Sequence, residues 1–478
     1  MRRLRWLKME QTVSTAPRLA ILPADMGAGV PEYLAEALTE ETGRRLRAAG
    51  RRAFDVIEQD SVSVLAARRM SAEQVGAALN ADLVLSGALQ LLPGQFRLRV
   101  HMLRGSDGAP LWTEDVLVPE GRVRALAAEL ALRITLRTGG GISIAASADS
   151  AEDTYSQEAY ELLWRAHSEW KTLQRHQMQD ALQRLQRAVE LAPQWTEARM
   201  ELVNLCAHHA IVGFMAPHVA SNRIRRCAEN LAHQGTEALW APLGWVYFHV
   251  DRNLHAAQMA FDHCAHLPHG RWITRLRTMF ALSRHQFSQA IAMLEHCIEL
   301  DPFAAGLHAR LAWAHHLNGD ATESVKRIEY ALREFPDHEL TKLHATIILA
   351  ANGEAQRAVR IAEELIRKCP YLDPAISVHA YALACAGKQG EAQALLEQLE
   401  WLSRERFVLR AFNPAAYVVL GNLDAAMDEL RAIDQSRCPW FFHVLADPLL
   451  KPLRNRLDFQ ELAAILPRME EAASLLAE

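Results

Sequence analysis

The chain has 478 residues, which is too long for one ordinary domain and predicts two or three. Half of the residues are hydrophobic and 23% are charged, so the composition is that of a globular chain and excludes a largely disordered one. With a net charge of -5, neither part of the chain has the strong basic excess that phosphate binding requires. Direct binding of nucleic acid by this chain is therefore not expected.

The first residues are basic (Arg2, Arg3, Arg5 and Lys8), but no long apolar run follows them, so they make a poor signal peptide. Residues 1–17 are best interpreted as a disordered basic tail, with a remnant of a lost domain as the alternative. No stretch approaches the length of apolar sequence that spans a membrane. The seven cysteines form no Cys-x-x-Cys pair, which predicts reduced, buried thiols in a cytoplasmic protein.

Residues 18–137 mix short apolar runs with segments of helical periodicity. Three consecutive β-like runs, separated by turn residues, predict an antiparallel meander with one wet face. Ser71 is expected to cap a helix. The predicted strands are 18–23, 54–57, 82–92, 96–103 and 111–118, and the predicted helices are 30–49, 71–79 and 122–137. This order predicts a small α+β domain, followed by a small, polar linker at 138–154.

Beyond the linker, four prolines stand 34 residues apart, at positions 268, 302, 336 and 370. This is the length of the helical hairpin in tetratricopeptide repeats (TPR). A proline just past the second helix cannot continue that helix and separates one hairpin from the next. The spacing therefore predicts a series of helical hairpins in register.

Other positions agree with this period. The segment from Trp240 to Tyr247 matches the TPR pattern W-x2-L-G-x2-Y, and Phe261 supplies the later aromatic residue. Gly353 and Gly387 fall in turns between paired helices. Small residues recur where paired helices must touch, at Ala257, Ala290, Ala358 and Ala392. Residues 155–470 thus resemble TPR proteins and predict a mostly α fold, an α-α superhelix of about seven hairpins with a closing cap.

The N-terminal region carries a second resemblance. Its first strand, Arg18-Leu-Ala-Ile-Leu-Pro23, and the segments 32–41, 78–90 and 108–116 resemble the TolB-like/FlgO-like N-terminal module. Followed by TPR repeats, that module is typical of the regulatory part of HilA/CadC-type winged-helix regulators and of TPR-bearing adenylate cyclases. Only 17 residues precede the first strand here, so we expect either a stand-alone relative or a start codon placed too late.

Sequence motifs for catalysis or ligand binding are absent or incomplete. No GxxxxGK[ST], GxGxxG, GxSxG or HExxH pattern occurs, and Gly27-Ala-Gly29 is best explained as a strand-to-helix turn. His263, His266 and His269 have a spacing that could place two of them on one helical face, but Pro268 breaks the helix between them. Surface or groove histidines are the favoured interpretation. The sequence therefore predicts no catalytic residue, no metal site and no cofactor.

The resemblance to TPR proteins implies that the first helix of each hairpin lines a concave groove that binds a partner. Several aromatic residues and one arginine at these positions are the kind that anchors interfaces. An error of one residue in register would place the same side chains in the core instead. The predicted partner-binding residues are Trp245, Phe248, Trp272, Arg275, Met279, Trp313, His316, Leu343, Ile347 and Tyr381, with Ser377 beside them.

The sequence is compatible with three functions. The first is a non-enzymatic scaffold or adaptor in bacterial signalling or regulation, which binds a protein or peptide in the TPR groove. The second is the sensory half of a HilA/CadC-type transcriptional regulator that lacks its winged-helix domain in this chain. The third, an enzyme with an unrecognised site in the N-terminal domain, has the least support because no titratable cluster converges there.

Overall fold

A computed structural model describes residues 16–48, 54–122, 125–137, 155–170, 173–231, 237–267 and 271–477. The chain forms two compact units. Unit 1 comprises Met1–Trp164 with Leu300–Phe303, and unit 2 comprises Arg165–Glu299 with Ala304–Glu478. Most of the predicted basic tail, the whole predicted linker at 138–154, and both Pro268 and His269 lie outside the described residues.

Unit 1 contains a mixed β-sheet with helices. The strands are β1 (Arg18–Ile21), β2 (Asp25–Met26), β3 (Asp55–Val56), β4 (Leu83–Leu92), β5 (Gln95–Arg104) and β6 (Pro110–Pro119). The helices are α1 (Glu32–Ala48), α2 (Gln59–Ala67), α3 (Ala72–Leu79) and α4 (Ala125–Arg137), with a 3-10 turn at Glu120–Arg122.

The strand order is β3-β1-β4-β5-β6, with β2 paired to β4. Strand β1 is parallel to β3 and to β4, whereas β4, β5 and β6 form the predicted antiparallel meander. Ser71 caps α3 as predicted, because its hydroxyl accepts a hydrogen bond from the Gln74 amide at 3.2 Å. The Gln74 side chain in turn accepts one from the Ser71 amide, which completes a capping box.

Two elements of unit 1 were not predicted. Strand β2 has only two residues, and its pairing of Asp25 with Ala88 joins positions that are distant in the sequence. Helix α2 buries Val62 and Leu65, but its β-branched residues weaken the helical signal. The observed order therefore adds a strand and a helix to the predicted one, and the α+β class is confirmed.

Unit 2 is helical and its helices follow one another in pairs. Its elements, counting α5 that begins in unit 1, are α5 (Gln157–Glu169), α6 (Arg175–Leu191), α7 (Thr196–Val212), α8 (Pro217–Leu231), α9 (Trp240–His249), α10 (Leu254–His263), α11 (Arg271–Ser283), α12 (Phe287–Leu300), α13 (Ala305–Leu317), α14 (Ala321–Glu334), α15 (Glu339–Ala351), α16 (Ala355–Lys368), α17 (Asp373–Cys385), α18 (Gln389–Ser403), α19 (Asn413–Val419), α20 (Leu423–Gln435), α21 (Phe441–Ala446), α22 (Leu457–Ala463) and α23 (Ile465–Ala477). A 3-10 segment, Pro448–Leu453, lies between α21 and α22.

The turns explain why the pairs repeat. Gly319, Gly353, Gly387 and Gly421 are 34 residues apart, and each has a positive φ between 77° and 88° in the turn inside a pair. Glycine reaches this left-handed conformation without steric cost, so it ends the first helix of each pair. The first helices then pack on one another, α13 on α15, α15 on α17 and α17 on α19. The predicted TPR-type stack of helices is confirmed.

Close packing within a pair explains the pattern around Trp240. Gly244 in α9 lies against the ring of Phe261 in α10, and a Cβ placed on Gly244 would come within 2.9 Å of that ring. Ala257, Ala290, Ala358 and Ala392 are all fully buried, as their small size at helix contacts predicts. These positions let the two helices of a pair approach each other closely.

Unit 2 also closes on itself across a long sequence separation. Gln174, just before α6, donates a hydrogen bond from Nε2 to the Lys368 carbonyl at 2.7 Å. Arg175 donates from Nη2 to the Tyr371 carbonyl at 3.1 Å. The start of α6 therefore contacts the turn that precedes α17, nearly 200 residues later in the chain. No helix among the described residues is long and apolar enough to cross a membrane.

Candidate functional site

The first helices of the pairs carry all ten predicted partner-binding residues, in α9, α11, α13, α15 and α17. Most of these side chains are buried: Trp245, Phe248, Met279, Trp313, His316, Leu343, Ile347 and Tyr381 are each at most 7% exposed. Trp272 and Arg275 are half-buried. Their role in partner binding remains a prediction, but the structure shows what covers them.

Part of that cover is a segment of the chain itself, residues 438–453, which we call the C-terminal strap. It contains α21 and the 3-10 segment that follows, and Phe441, Phe442, Leu450 and Leu453 are fully buried. The sequence predicts a closing cap from residue 439 onward. Helix α22 does contact α20, the second helix of the last pair, but the strap runs along the first helices of several earlier pairs.

Hydrogen bonds attach the strap to three of those first helices. Trp440 donates from Nε1 to the Ile211 carbonyl of α7 at 2.8 Å. His443 Nε2 lies 3.4 Å from the Met279 carbonyl of α11. In α13, His316 Nε2 lies 3.3 Å from Asp447 Oδ1. The strap thus bridges helices that are far apart in the sequence.

Aromatic contacts add to this attachment. The guanidinium of Arg252, which follows α9, lies 4.3 Å from the ring centroid of Phe442 and 4.9 Å from that of Phe441. Phe442 also packs against Phe248, with ring centroids 5.1 Å apart. Phe248, predicted to face a partner, therefore contacts the strap of its own chain.

A cavity remains between the strap and the first helices. Its volume is about 50 Å³, and its lining is mostly apolar. Four of the predicted residues line it: Arg275, Met279, Trp313 and Leu343. The other lining residues are Leu173, Ile211, Val212, Leu282, Arg310, Leu340, His344, Leu372, Pro374, Trp440 and His443. The lining contains two arginines and no carboxylate.

The sequence prediction missed Trp440 and His443 because the residues near the C-terminus were assigned only to a cap. The run Pro-Trp-Phe-Phe-His at 439–443 was the available signal, since three consecutive aromatic residues need a surface to cover them. Nothing local indicates which surface that is. His344 and Arg310 were missed because they lie one position away from the groove positions assigned by the repeat register.

A second aromatic group lies beside the cavity. Trp272 stacks on Trp170 with ring centroids 4.9 Å apart, and the Arg275 guanidinium lies 5.0 Å from the Trp272 ring centroid. Arg275 Nη1 donates a hydrogen bond to His208 Nδ1 at 2.8 Å, so the His208 ring offers a lone pair at that nitrogen. Trp272 is therefore held by neighbours within unit 2 and lines a separate cavity with Met200 and Asn204.

Burial lowers the pKa of several histidines in unit 2. Burial lowers the pKa of His344 to about 3 and the pKa of His443 to about 4. It also lowers the pKa of His249 well below the ordinary value, and the pKa of His209 to about 4. These rings are neutral at physiological pH, so each has one donor and one acceptor nitrogen.

Several polar groups elsewhere in the described residues make local contacts. Within the described residues, no group of three His, Cys, Asp or Glu side chains could hold a metal ion. His263 bonds to the Met259 carbonyl at 2.7 Å, and His266 pairs with Glu237 at 2.8 Å. All seven cysteines are free, and burial raises the pKa of Cys206 and Cys438 to about 12. These two thiols stay protonated and unreactive.

No known family model and no curated protein matches the sequence. Among solved structures, the APC/C hetero-tetramer Cut9-Hcn1 is similar at 15% identity, over 74% of this chain and 67% of that one, with a TM-score of 0.43. Yeast Tom70 is similar at 14% identity, over 72% and 85%, with a TM-score of 0.39. A PelC dodecamer from Paraburkholderia phytofirmans covers 26% of this chain and 89% of its own, at 14% identity and a TM-score of 0.20.

Proposed function

We propose that unit 2 is a protein-binding scaffold and that a partner enters the cavity beside the C-terminal strap. The observation that carries this proposal is the apolar lining of that cavity, contributed by first helices of consecutive pairs and by the strap. Apolar walls with a few polar groups are typical of binding sites. Stacked helical repeats provide such surfaces because each pair adds residues to a continuous inner face.

The same observations support a non-enzymatic role. The two histidines that line the cavity, His344 and His443, are neutral and each already bonds to a backbone carbonyl. A general acid or base needs a pKa near the working pH, whereas burial holds the pKa of both rings at about 3 to 4. Binding, and not proton transfer, suits these side chains.

Within this function we propose a regulatory role in bacterial signalling, in the cytoplasm and without direct contact to nucleic acid. The signalling role rests on the resemblance of residues 18–137 to the TolB-like/FlgO-like module. The free, buried cysteines support a reducing compartment. The near-balanced charge supports a protein partner in preference to a phosphate backbone.

A cavity-blocking variant tests the proposal. Leu340 lies in the first turn of α15, is half-buried and lines the cavity, so Leu340→Arg places a long cationic side chain at the site. Leu457→Arg is the matched control, because Leu457 is 78% exposed on α22 and lies outside the cavity. Both variants are first checked for wild-type helicity and melting temperature.

Each tagged protein is then used for quantitative capture from native cells. We expect at least one protein to be retained by the wild type and by Leu457→Arg and to be lost with Leu340→Arg. If the two variants retain the same proteins in the same amounts as the wild type, the cavity is not the partner site and the proposal fails.

A further inference from the structure

A second cavity of unit 2 lies beside Trp272 and has a volume of about 180 Å³. The first helices of three successive pairs contribute to its wall. Asn204 comes from α7, Pro242 from the first turn of α9, and Trp272 from the first turn of α11. Ala238 also lines it, from the 3-10 turn Glu237–Leu239 that precedes α9. The cavity therefore lies where α9 and α11 begin, against the middle of α7.

Asn204 is the only carboxamide among the described residues that line this cavity. The residue is 9% exposed, and its amide has no hydrogen-bond partner within the described part of the chain. Its oxygen and nitrogen nevertheless retain some contact with solvent. A carboxamide offers both donors and an acceptor, and a buried one is unfavourable without a partner. The Asn204 amide is therefore available to a ligand that enters the cavity.

Trp272 gives the cavity a rigid aromatic wall. Its ring is stacked on Trp170 and lies beside the Arg275 guanidinium, and the His208 ring contacts it edge-on at a centroid distance of 5.2 Å. The indole Nε1 has no hydrogen-bond partner among the described residues and can only donate. Because its neighbours already fix the ring, a ligand that packs on it does not have to order it first.

The lining selects a neutral, apolar ligand that also carries a polar group. No charged side chain lines the cavity within the described residues, so a carboxylate or an ammonium group would be buried there without a counter-ion. A cavity of about 150 Å³ can hold a benzene molecule, so the volume here admits a side chain of leucine size. A peptide group beside that side chain would supply an N–H for Asn204 Oδ1 and a carbonyl for Asn204 Nδ2 or Trp272 Nε1.

We propose that this cavity binds an uncharged segment of the protein partner, with one apolar side chain inside it and the adjoining peptide group bonded to Asn204. The inference rests on the proposed protein-binding function and adds a second contact site to it. A free hydrocarbon would also fill the cavity but would leave the amide of Asn204 and the indole N–H of Trp272 without partners. Water would satisfy both polar groups but gains nothing from the apolar wall.

The first experiment titrates N-acetyl-leucinamide and N-acetyl-glycinamide into the full-length protein labelled with 5-fluorotryptophan. Fluorine NMR then gives one signal for each of the 11 tryptophans, and the signal that is lost in Trp272→Phe identifies Trp272. We expect the leucine probe to shift this signal saturably and to bind at least tenfold more tightly than the glycine probe, which buries no side chain. The signal of Trp401, which is 56% exposed on α18, should not move.

Two variants then separate the polar group from the apolar space. Asn204→Leu removes the amide at similar volume and should weaken the leucine probe severalfold while helicity and melting temperature stay at wild-type values. Ala238→Leu fills the half-buried edge of the cavity and should abolish binding. Asn318→Leu and Ala321→Leu are the matched controls, because both positions are exposed and lie outside the cavity. Unchanged affinity in Asn204→Leu would show that the amide takes no part and would overturn the proposal.

The remaining outcomes are equally decisive. Equal binding of the two probes, or no shift of the Trp272 signal at saturating concentration, would refute a site for an apolar side chain. If light scattering shows a dimer that Ala238→Leu converts to a monomer, the occupant is a second copy of this chain and the assignment to a partner is wrong. Leu340→Arg leaves this cavity intact, so probe binding that survives in that variant is independent of the cavity beside the strap. Failure of this inference is thereby distinguished from failure of the proposed function.

Discussion

Trp440 and Ile211 are 229 positions apart in the sequence, yet the indole Nε1 of the first donates a hydrogen bond to the carbonyl of the second at 2.8 Å. Ile211 is near the C-terminal end of α7, where backbone carbonyls lack partners within the helix. The strap therefore supplies a partner that the helix cannot provide for itself. The first helices and the strap thereby form one folded structure, and the strap is an integral part of it.

The bond predicts a specific cost for its removal. Trp440→Phe keeps an aromatic ring but deletes the donor and leaves the Ile211 carbonyl without its partner. We expect a loss of about 1–2 kcal/mol in the free energy of unfolding. Urea denaturation followed by circular dichroism measures it, with Trp401→Phe as an exposed control that should change stability by less than about 0.5 kcal/mol. A neutral Trp440→Phe would show that this contact does not hold the strap.

The buried histidines predict a loss of stability in acid. Their folded-state pKa values, about 4 for His209 and His443 and about 3 for His344, lie below the ordinary value of 6.5. Between these limits the unfolded chain binds more protons than the folded one, so the free energy of unfolding falls as the pH decreases from 6.5 towards 4. Each such histidine contributes up to roughly 1.4 kcal/mol per pH unit. Glu429 acts in the opposite direction, because burial raises its pKa to about 7.

Urea denaturation at several pH values between 7 and 4.5 measures this slope. His443→Gln should make the slope shallower, even if it lowers stability at pH 7, because one proton-binding difference is removed. His296→Gln is the control, since the His296 side chain is 53% exposed. An unchanged slope in His443→Gln would contradict the assignment of His443 as a neutral, buried base.

The sequence predicted those features that local spacing determines. Turn glycines, prolines after second helices and small residues at helix contacts recur with the repeat, so the pairs and their limits could be inferred without long-range information. The helix cap at Ser71 was also predicted, whereas the structure adds the reciprocal bond from Gln74. The short strand β2 was not predictable, because a two-residue strand exists only through its pairing with β4.

The position of the strap could not be predicted from the sequence for a similar reason. Its aromatic residues predict that the segment is buried. The surface that it packs against lies up to about 230 residues earlier in the chain. The repeat register placed Arg275, Met279, Trp313 and Leu343 on the surface that lines the cavity. The same register also placed Phe248 and His316 on the first helices, where they contact Phe442 and Asp447 of the strap. A groove position is open to a partner only where the chain itself does not fill it.

Asp373 predicts a large effect of removing one charge. Its side chain is 1% exposed, accepts bonds from Arg406 at 2.6 and 2.8 Å, and lies 3.5 Å from Arg175. Asp373→Asn leaves two guanidinium groups without their carboxylate. We expect a loss of roughly 2–3 kcal/mol, below the value for a fully buried pair because Arg406 is 35% exposed. Glu190→Gln, which affects an exposed pair with Arg187, should cost less than about 0.5 kcal/mol.

If the two variants differ by less than about 1 kcal/mol in urea denaturation, Asp373 does not hold the junction between the start of α6 and the start of α17. A thermal unfolding scan provides a second readout, since a loss of this size lowers the melting temperature by several degrees in a domain of this length.

Gly244 predicts the cost of a single methyl group between paired helices. In Gly244→Ala the added Cβ would come within 2.9 Å of the Phe261 ring, which is itself stacked against Phe280 with centroids 4.6 Å apart. The ring has little room to move, so α9 and α10 must separate. Alanine is otherwise the better helix former by about 1 kcal/mol, and the steric cost must exceed that gain. We expect a net destabilisation of about 1–2 kcal/mol.

Gly390→Ala, at a helical position with no atom within 4 Å of the new Cβ, should be neutral or slightly stabilising. Equal effects of the two substitutions in urea denaturation would show that the contact between Gly244 and Phe261 does not limit the approach of the helices.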